Sequence, residues 1–212
     1  MDTRHIETDS LIHQLAGEAG QGTRALPLAA ALPLAGGLAL ALALLVVILW
    51  IGARADLSAH LGATAFKAAG MLLLAAGGLW LAAGAAEPGR TMPTPLVLLP
   101  AVLLLLVRAL TDTSGLSVFG NSGVSVTDCV TAVLVAASPG LVLLLVVLRG
   151  GAPEHPARTG ALAGLVAGAL GAAAYAIACR NDAGSFLIVW YPLAVALMTA
   201  AGALIGRWAL RW

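Results

Sequence analysis

The residues of this chain with the widest chemical scope are two cysteines, Cys129 and Cys179. A thiol pair supports redox chemistry or the binding of a soft metal ion. Two other readings stand beside that one. Free cysteine often behaves as a small, inert, buried hydrophobe, and two cysteines can close a structural disulfide. Two thiolates do not complete a zinc site, which takes about four ligands. By the topology argued below, the residues on the same side that could complete one are His60, Asp128 and Asp182. His60 is more often just a solvated loop residue. His5, His13 and His155 fall on the opposite side and cannot join them. No resident cofactor is expected, at most a transient metal ion at Cys129 and Cys179.

Other chemistry is poorly provided for. The chain has no HExxH, no CxxC, no Gly-rich phosphate loop, no Ser–His–Asp pattern and no chain of intramembrane acids. A proton-coupled transporter or intramembrane hydrolase needs buried ionisable groups. No catalytic residue is therefore assigned, and the chain is not read as an enzyme. Arg108 can pair with Asp128, pair with Asp112 one turn on, or snorkel to the interface.

The elements that must position these residues follow from composition. Of 212 residues, 60% are hydrophobic and 10% charged, against about 25% charged in a soluble domain. A water-soluble surface cannot be assembled from so few charges. The net charge of +1 gives no field that would draw nucleic acid. Spanning hydrocarbon takes about 20 apolar residues, and six stretches qualify: 27–52, 67–86, 95–110, 126–148, 159–178 and 186–206. None alternates like a strand, so the fold class is an all-α integral membrane protein of six transmembrane helices. Residues 1–25 hold four acids and no long apolar run, so they read as a retained segment and not as a secretory signal. The chain thus divides into a cytoplasmic segment, 1–25, and a transmembrane domain, 26–212.

Orientation comes from positive charge, which collects on the cytoplasmic side. With the N-terminus inside, Arg4, Arg24, Arg90, Arg149, Arg158, Arg207 and Arg211 are inner, and Arg54, Lys67, Arg108 and Arg180 are outer. That is seven of the eleven cations inside, which favours both termini in the cytoplasm. Cys129 and Cys179 then sit at the outer face, fifty positions apart, at similar depth on neighbouring spans. Trp50 and Trp190 fall near the outer interface, Trp208 and Trp212 near the inner one.

The N-terminal segment carries a second signal. Thr8, Asp9 and Ser10 are good helix caps, and Leu11, Ile12, Leu15, Ala16 and Ala19 follow at spacings of three and four. A helix this short is marginal alone and gains stability by burying its apolar face. A membrane-surface helix is normally Lys/Arg-rich on its polar face. This one carries Glu7, Asp9 and Glu18, which favours a protein partner over the bilayer. In the fifth span, Gly160, Gly164 and Gly168 line one face, and Gly202 and Gly206 repeat the spacing in the sixth. Packing inside the monomer is the expected use, and a homo-oligomer through these glycine faces is the alternative.

The segments "DSLIHQLAGEAG", "RGGAPEHPARTGALAGLVAGALGAAAYAIAC" and "WYPLAVALMTAAGALIGRWALRW" give the chain its resemblance to the NrsF-type anti-sigma factors, six-span bacterial inner-membrane proteins. The resemblance covers nearly the whole layout. It implies a membrane-bound protein whose cytoplasmic N-terminal segment holds an extracytoplasmic-function (ECF) sigma factor, without touching nucleic acid itself. On this sequence the contact falls to Ile6, Leu11, Ile12, Leu15 and Ala19. It also implies that two periplasm-facing cysteines, matching Cys129 and Cys179, sense stress such as heavy metals. A membrane thiol oxidoreductase or a small transporter is the runner-up.

Overall fold

The computed structural model describes residues 10–14, 16–17, 27–87, 95–112, 115, 117–121 and 124–211. Apolar runs fold as helices because a helix satisfies its backbone internally. The helices are α1 (Leu28–Trp50), α2 (Leu61–Ala86), α3 (Leu99–Leu110), α4 (Val126–Leu148), α5 (Pro156–Tyr175) and α6 (Gly184–Ala209). Before α1, residues 10–14 and 16–17 are also helical.

Helix starts follow local chemistry. The Ser125 hydroxyl caps α4 by accepting from the Asp128 amide at 3.1 Å. Proline opens α5 and stands in the first turn of α3, where its missing N–H has no helical partner to lose. A hairpin pairs Gly120–Asn121 with Val124–Ser125 just ahead of α4.

Among the described residues five helices are long and apolar enough to cross a membrane: α1, α2 with the 3-10 turn Leu57–His60 ahead of it, α4, α5 and α6. The stretch expected at 95–110 differs. It forms a 3-10 turn, Pro95–Leu98, followed by the 12 residues of α3. The ring of Pro100 would clash with the carbonyl of Leu96 in a continuous α-helix, so the regular helix does not extend further toward the N-terminus.

The six helices alternate in direction. One end gathers the end of α1, the start of α2 and the end of α3 around the α5–α6 connection. Arg54 N–H donates to Ile177 O, Lys67 Nζ to Asn181 O and Arg108 Nη2 to Asp182 O. At the opposite end Ala152 N–H donates to Ala86 O, and Thr159 Oγ1 to Ala85 O. The start of α1 and the end of α6 therefore lie at the same end, away from the cysteines.

α5 is the central helix: 72% of its apolar window is buried, against 28–44% for the other long helices. Glycine explains how it fits. A Cβ on Gly164 would strike Met198 O and lie 2.9 Å from Thr199 Cα. One on Gly160 would strike Gly202 O and lie 2.7 Å from Gly206 Cα. The glycine face of α5 thus meets the Gly202 and Gly206 face of α6 within one chain. Gly171, off that line, abuts Val133 and Ala137 of α4.

Candidate functional site

Cys129 lies in the first turn of α4, which Ser125 caps, and Cys179 just beyond α5. Both are free thiols, fully buried in one apolar cluster. Tyr175 and Tyr191 belong to the same cluster, their rings 6.3 Å apart and tilted.

A network of charges caps this cluster. Lys67 Nζ reaches Asp182 Oδ1 at 2.6 Å, Asn181 O at 2.7 Å and Cys179 O at 3.4 Å. Arg54 Nη1 donates to Cys179 O at 3.2 Å and to both Asp182 oxygens at 3.1 Å, while its Nε and Nη2 hold Asp56. The Cys179 thiol donates to Asn181 O at 3.6 Å. Both cationic side chains are only 3% exposed. Cations at such depth are costly unless paired, and here every one of these donors ends on the 179–182 connection or on Asp56.

The electrostatics follow. Hydrogen bonds from Arg54 hold the Asp56 carboxyl well below the usual carboxylate range. Burial works against ionisation of Asp182, but hydrogen bonds and charge from Lys67 and Arg54 outweigh it and depress its pKa. Arg108 adds a third tie, donating to Asp182 O at 2.8 Å and standing 3.6 Å from Asp112, whose carboxylate accepts from Ser185 N–H. Of the pairings open to Arg108, Asp112 is the one formed.

Two pockets open at this end of the bundle. One, of about 250 Å³, is lined by Arg54, Asp128, Tyr175 and Arg180. The other, of about 280 Å³, is lined by Trp50, Thr127, Asp128 and Tyr175.

The family profile described as "NrsF: Negative regulator of sigma F" matches residues 15–212. The Anti-sigma-F factor NrsF of Caulobacter vibrioides is 33% identical over 98% of this chain and 100% of its own length. The chain belongs to the NrsF family. A probable anti-sigma-F factor NrsF from Azospira oryzae is 31% identical over the same share of this chain and its own full length. No solved structure matches. NrsF membership makes the chain a negative regulator of a sigma factor, and its apolar helices make it a transmembrane one.

The two thiols singled out in the sequence thus share one cluster. The three auxiliary ligands do not join them as a donor set. Asp182 is held by Lys67 and Arg54, His60 stands 3.3 Å from Asp56 and 3.9 Å from Asp182, and Asp128 is exposed at the start of α4. Among the described residues no three His, Cys, Asp or Glu side chains converge to hold a metal. Of the candidate partner contacts, Leu11 and Ile12 are helical and exposed, while Ile6, Leu15 and Ala19 lie outside the described residues. Sequence reasoning missed the buried Lys67 and Arg54. The available signal was a lysine seven residues into an apolar helix, which at membrane depth demands a partner.

Proposed function

We propose that this protein is a membrane-bound anti-sigma factor that holds an ECF sigma factor through residues 1–25 and releases it on a periplasmic signal received at Cys129 and Cys179. The observation that carries this reading is the separation of the two functions: the thiols cluster at one end of the bundle, and the start of α1 lies at the other. A protein that reports an outside event to an inside partner needs that separation.

The membrane in question is the bacterial inner membrane, crossed six times with both termini inside. The distribution of arginine and lysine supports the orientation. α3 with its preceding 3-10 turn is about 26 Å long, from about 1.5 Å per α-helical and 2.0 Å per 3-10 residue, close to the roughly 30 Å of a hydrocarbon core. The alternating direction of the six helices supports the same count.

Transmission follows from the ionic cap. Cys179 offers its carbonyl to Arg54 and Lys67 and its thiol to Asn181 O. Binding of a thiophilic ion or oxidation at the sulfur alters this connection, and with it the ties to α1, α2 and α3. Releasing most of the sigma factor takes a few kcal/mol of such coupling. Membrane vesicles carrying the full chain test this by capture of the sigma factor with and without a thiophilic cation or peroxide. Release is expected from wild type. Cys129→Ser, Cys179→Ser and the double variant should all retain the sigma factor to the same degree. Release that persists in the double variant would refute sensing at the cysteines.

A further inference from the structure

An apolar groove of about 620 Å³ runs along α6 from Ile188 to Ala203, walled by Val102 and Leu105 of α3 and by Ala161 and Leu165 of α5. At 1.5 Å per residue it is about 22 Å long, longer than the roughly 15 Å of hydrocarbon in one leaflet. Its open side follows from the short α3. Val97 and Leu98, just ahead of that helix, pack on Gly77, while α2 runs on to Ala86 and α6 to Ala209. The polar side chain in the wall is Thr199, whose hydroxyl already donates to Val195 O at 2.8 Å. The wall therefore selects an apolar occupant. One end of the groove is different. Arg158 stands one turn before Ala161, and Arg207 one turn after Ala203, so helical spacing puts both on the groove side of their helices. Both are exposed, and the Arg207 guanidinium lies 5.3 Å from the Trp208 ring centroid. Arg158 also borders a small cleft with Glu87 and Glu154. This is the end that holds the start of α1, away from the cysteines.

We propose that this groove binds an anionic phospholipid, with an acyl chain laid along α6 and the phosphate between Arg158 and Arg207. An acyl chain entering from that leaflet finds apolar wall over its whole length. Cations at the mouth of a groove between membrane helices favour an anionic headgroup. A zwitterionic lipid fills the same groove but brings no net charge to the two arginines. The lipid also completes the contact between α3 and α6. At their other end protein makes it: Arg108 donates to Asp182 O, and Asp112 accepts from Ser185 N–H. On the proposed orientation the lipid belongs to the cytoplasmic leaflet. The inference does not depend on what the cysteines sense.

The test uses full-length, delipidated protein in detergent. Native mass spectrometry reads the binding of palmitoyl-oleoyl phosphatidylglycerol against phosphatidylcholine with the same chains. Wild type should prefer phosphatidylglycerol about tenfold, below the product of roughly fivefold per arginine because Glu87 and Glu154 stand beside Arg158. Arg158→Gln with Arg207→Gln should abolish the preference and leave phosphatidylcholine binding within about twofold of wild type. Ala196→Phe with Ala200→Phe fills the groove from two exposed positions in its wall, and should weaken both lipids. Should the filled variant not fold, the arginine variant decides alone, since both of its changes lie on exposed side chains. Equal affinity of wild type for the two lipids overturns the proposal. So does a preference that survives loss of both arginines, or a folded, filled variant that binds phosphatidylglycerol like wild type. A lipid-independent dimer that the filled variant loses would show the groove covered by a second copy, and that too overturns it.

Discussion

Lys67 lies within α2, and its ammonium is hydrogen-bonded to Asp182, Asn181 O and Cys179 O. Removing one partner of a buried pair typically costs about 3–5 kcal/mol. Because Arg54 still reaches Asp182, Lys67→Met should lose about 3 kcal/mol, read as a lowered thermal midpoint in detergent. An unchanged midpoint would mean the cap contributes nothing to stability. The same cluster predicts an acid limb. Asp182 and Asp56 have depressed pKa values in the folded protein. Their contribution is complete above the unfolded value of about 3.9 and is lost as pH falls through the depressed folded values. The midpoint should therefore hold from pH 7 to pH 5 and fall below about pH 4. Asp182→Asn should lower it at pH 7 and flatten the acid limb. From the sequence Asp182 read as a metal-ligand candidate, since an acid on the right side was visible. The cations that claim it come from α2 and the α1–α2 connection, more than a hundred positions away.

The α5–α6 seam shows how an element is specified by what it omits. At Gly164 any Cβ meets the backbone of Met198 and Thr199, which cannot swing aside as a side chain would. Gly164→Ala should cost about 1–3 kcal/mol through overpacking. Gly37→Ala in α1, where a Cβ meets nothing within 4 Å, should be neutral or stabilising by up to about 1 kcal/mol from helix propensity. Thermal unfolding of the two variants side by side checks the contrast; equal shifts would mean the seam is not tightly packed. The spacing of these glycines was legible in the sequence, as was their use in packing. The short α3 was less so, because an apolar stretch of sixteen residues fits a span, a buried helix and a broken helix alike.

For the whole molecule the decisive relation is between its two ends. Leu11 and Ile12 are helical, and both are more than half exposed. On the proposed function they are covered by the sigma factor. The double substitution Leu11→Asp with Ile12→Asp places charge where burial without a partner costs several kcal/mol. It should abolish sigma capture at normal membrane levels of the protein, and capture as tight as wild type would move the contact elsewhere. Reporter fusions after Gly89 and Pro153 should read cytoplasm and one after Ser117 periplasm; a periplasmic reading at Pro153 would overturn the orientation.

By itself the sequence determined that this chain belongs in a bilayer, roughly where its helices run, and that its two cysteines fall at one end of neighbouring helices. Those properties depend on hydrophobic length and charge counts, which are local sums along the chain. Only the tertiary structure decided which glycine meets which backbone, and that Lys67 and Arg54 close over the 179–182 connection. Each of those depends on the rotation and depth of helices far apart in sequence, and in a chain this rich in alanine, leucine and glycine many rotations bury apolar surface about equally well. The pairing of a few buried polar atoms, costly to leave unmet, selects among them.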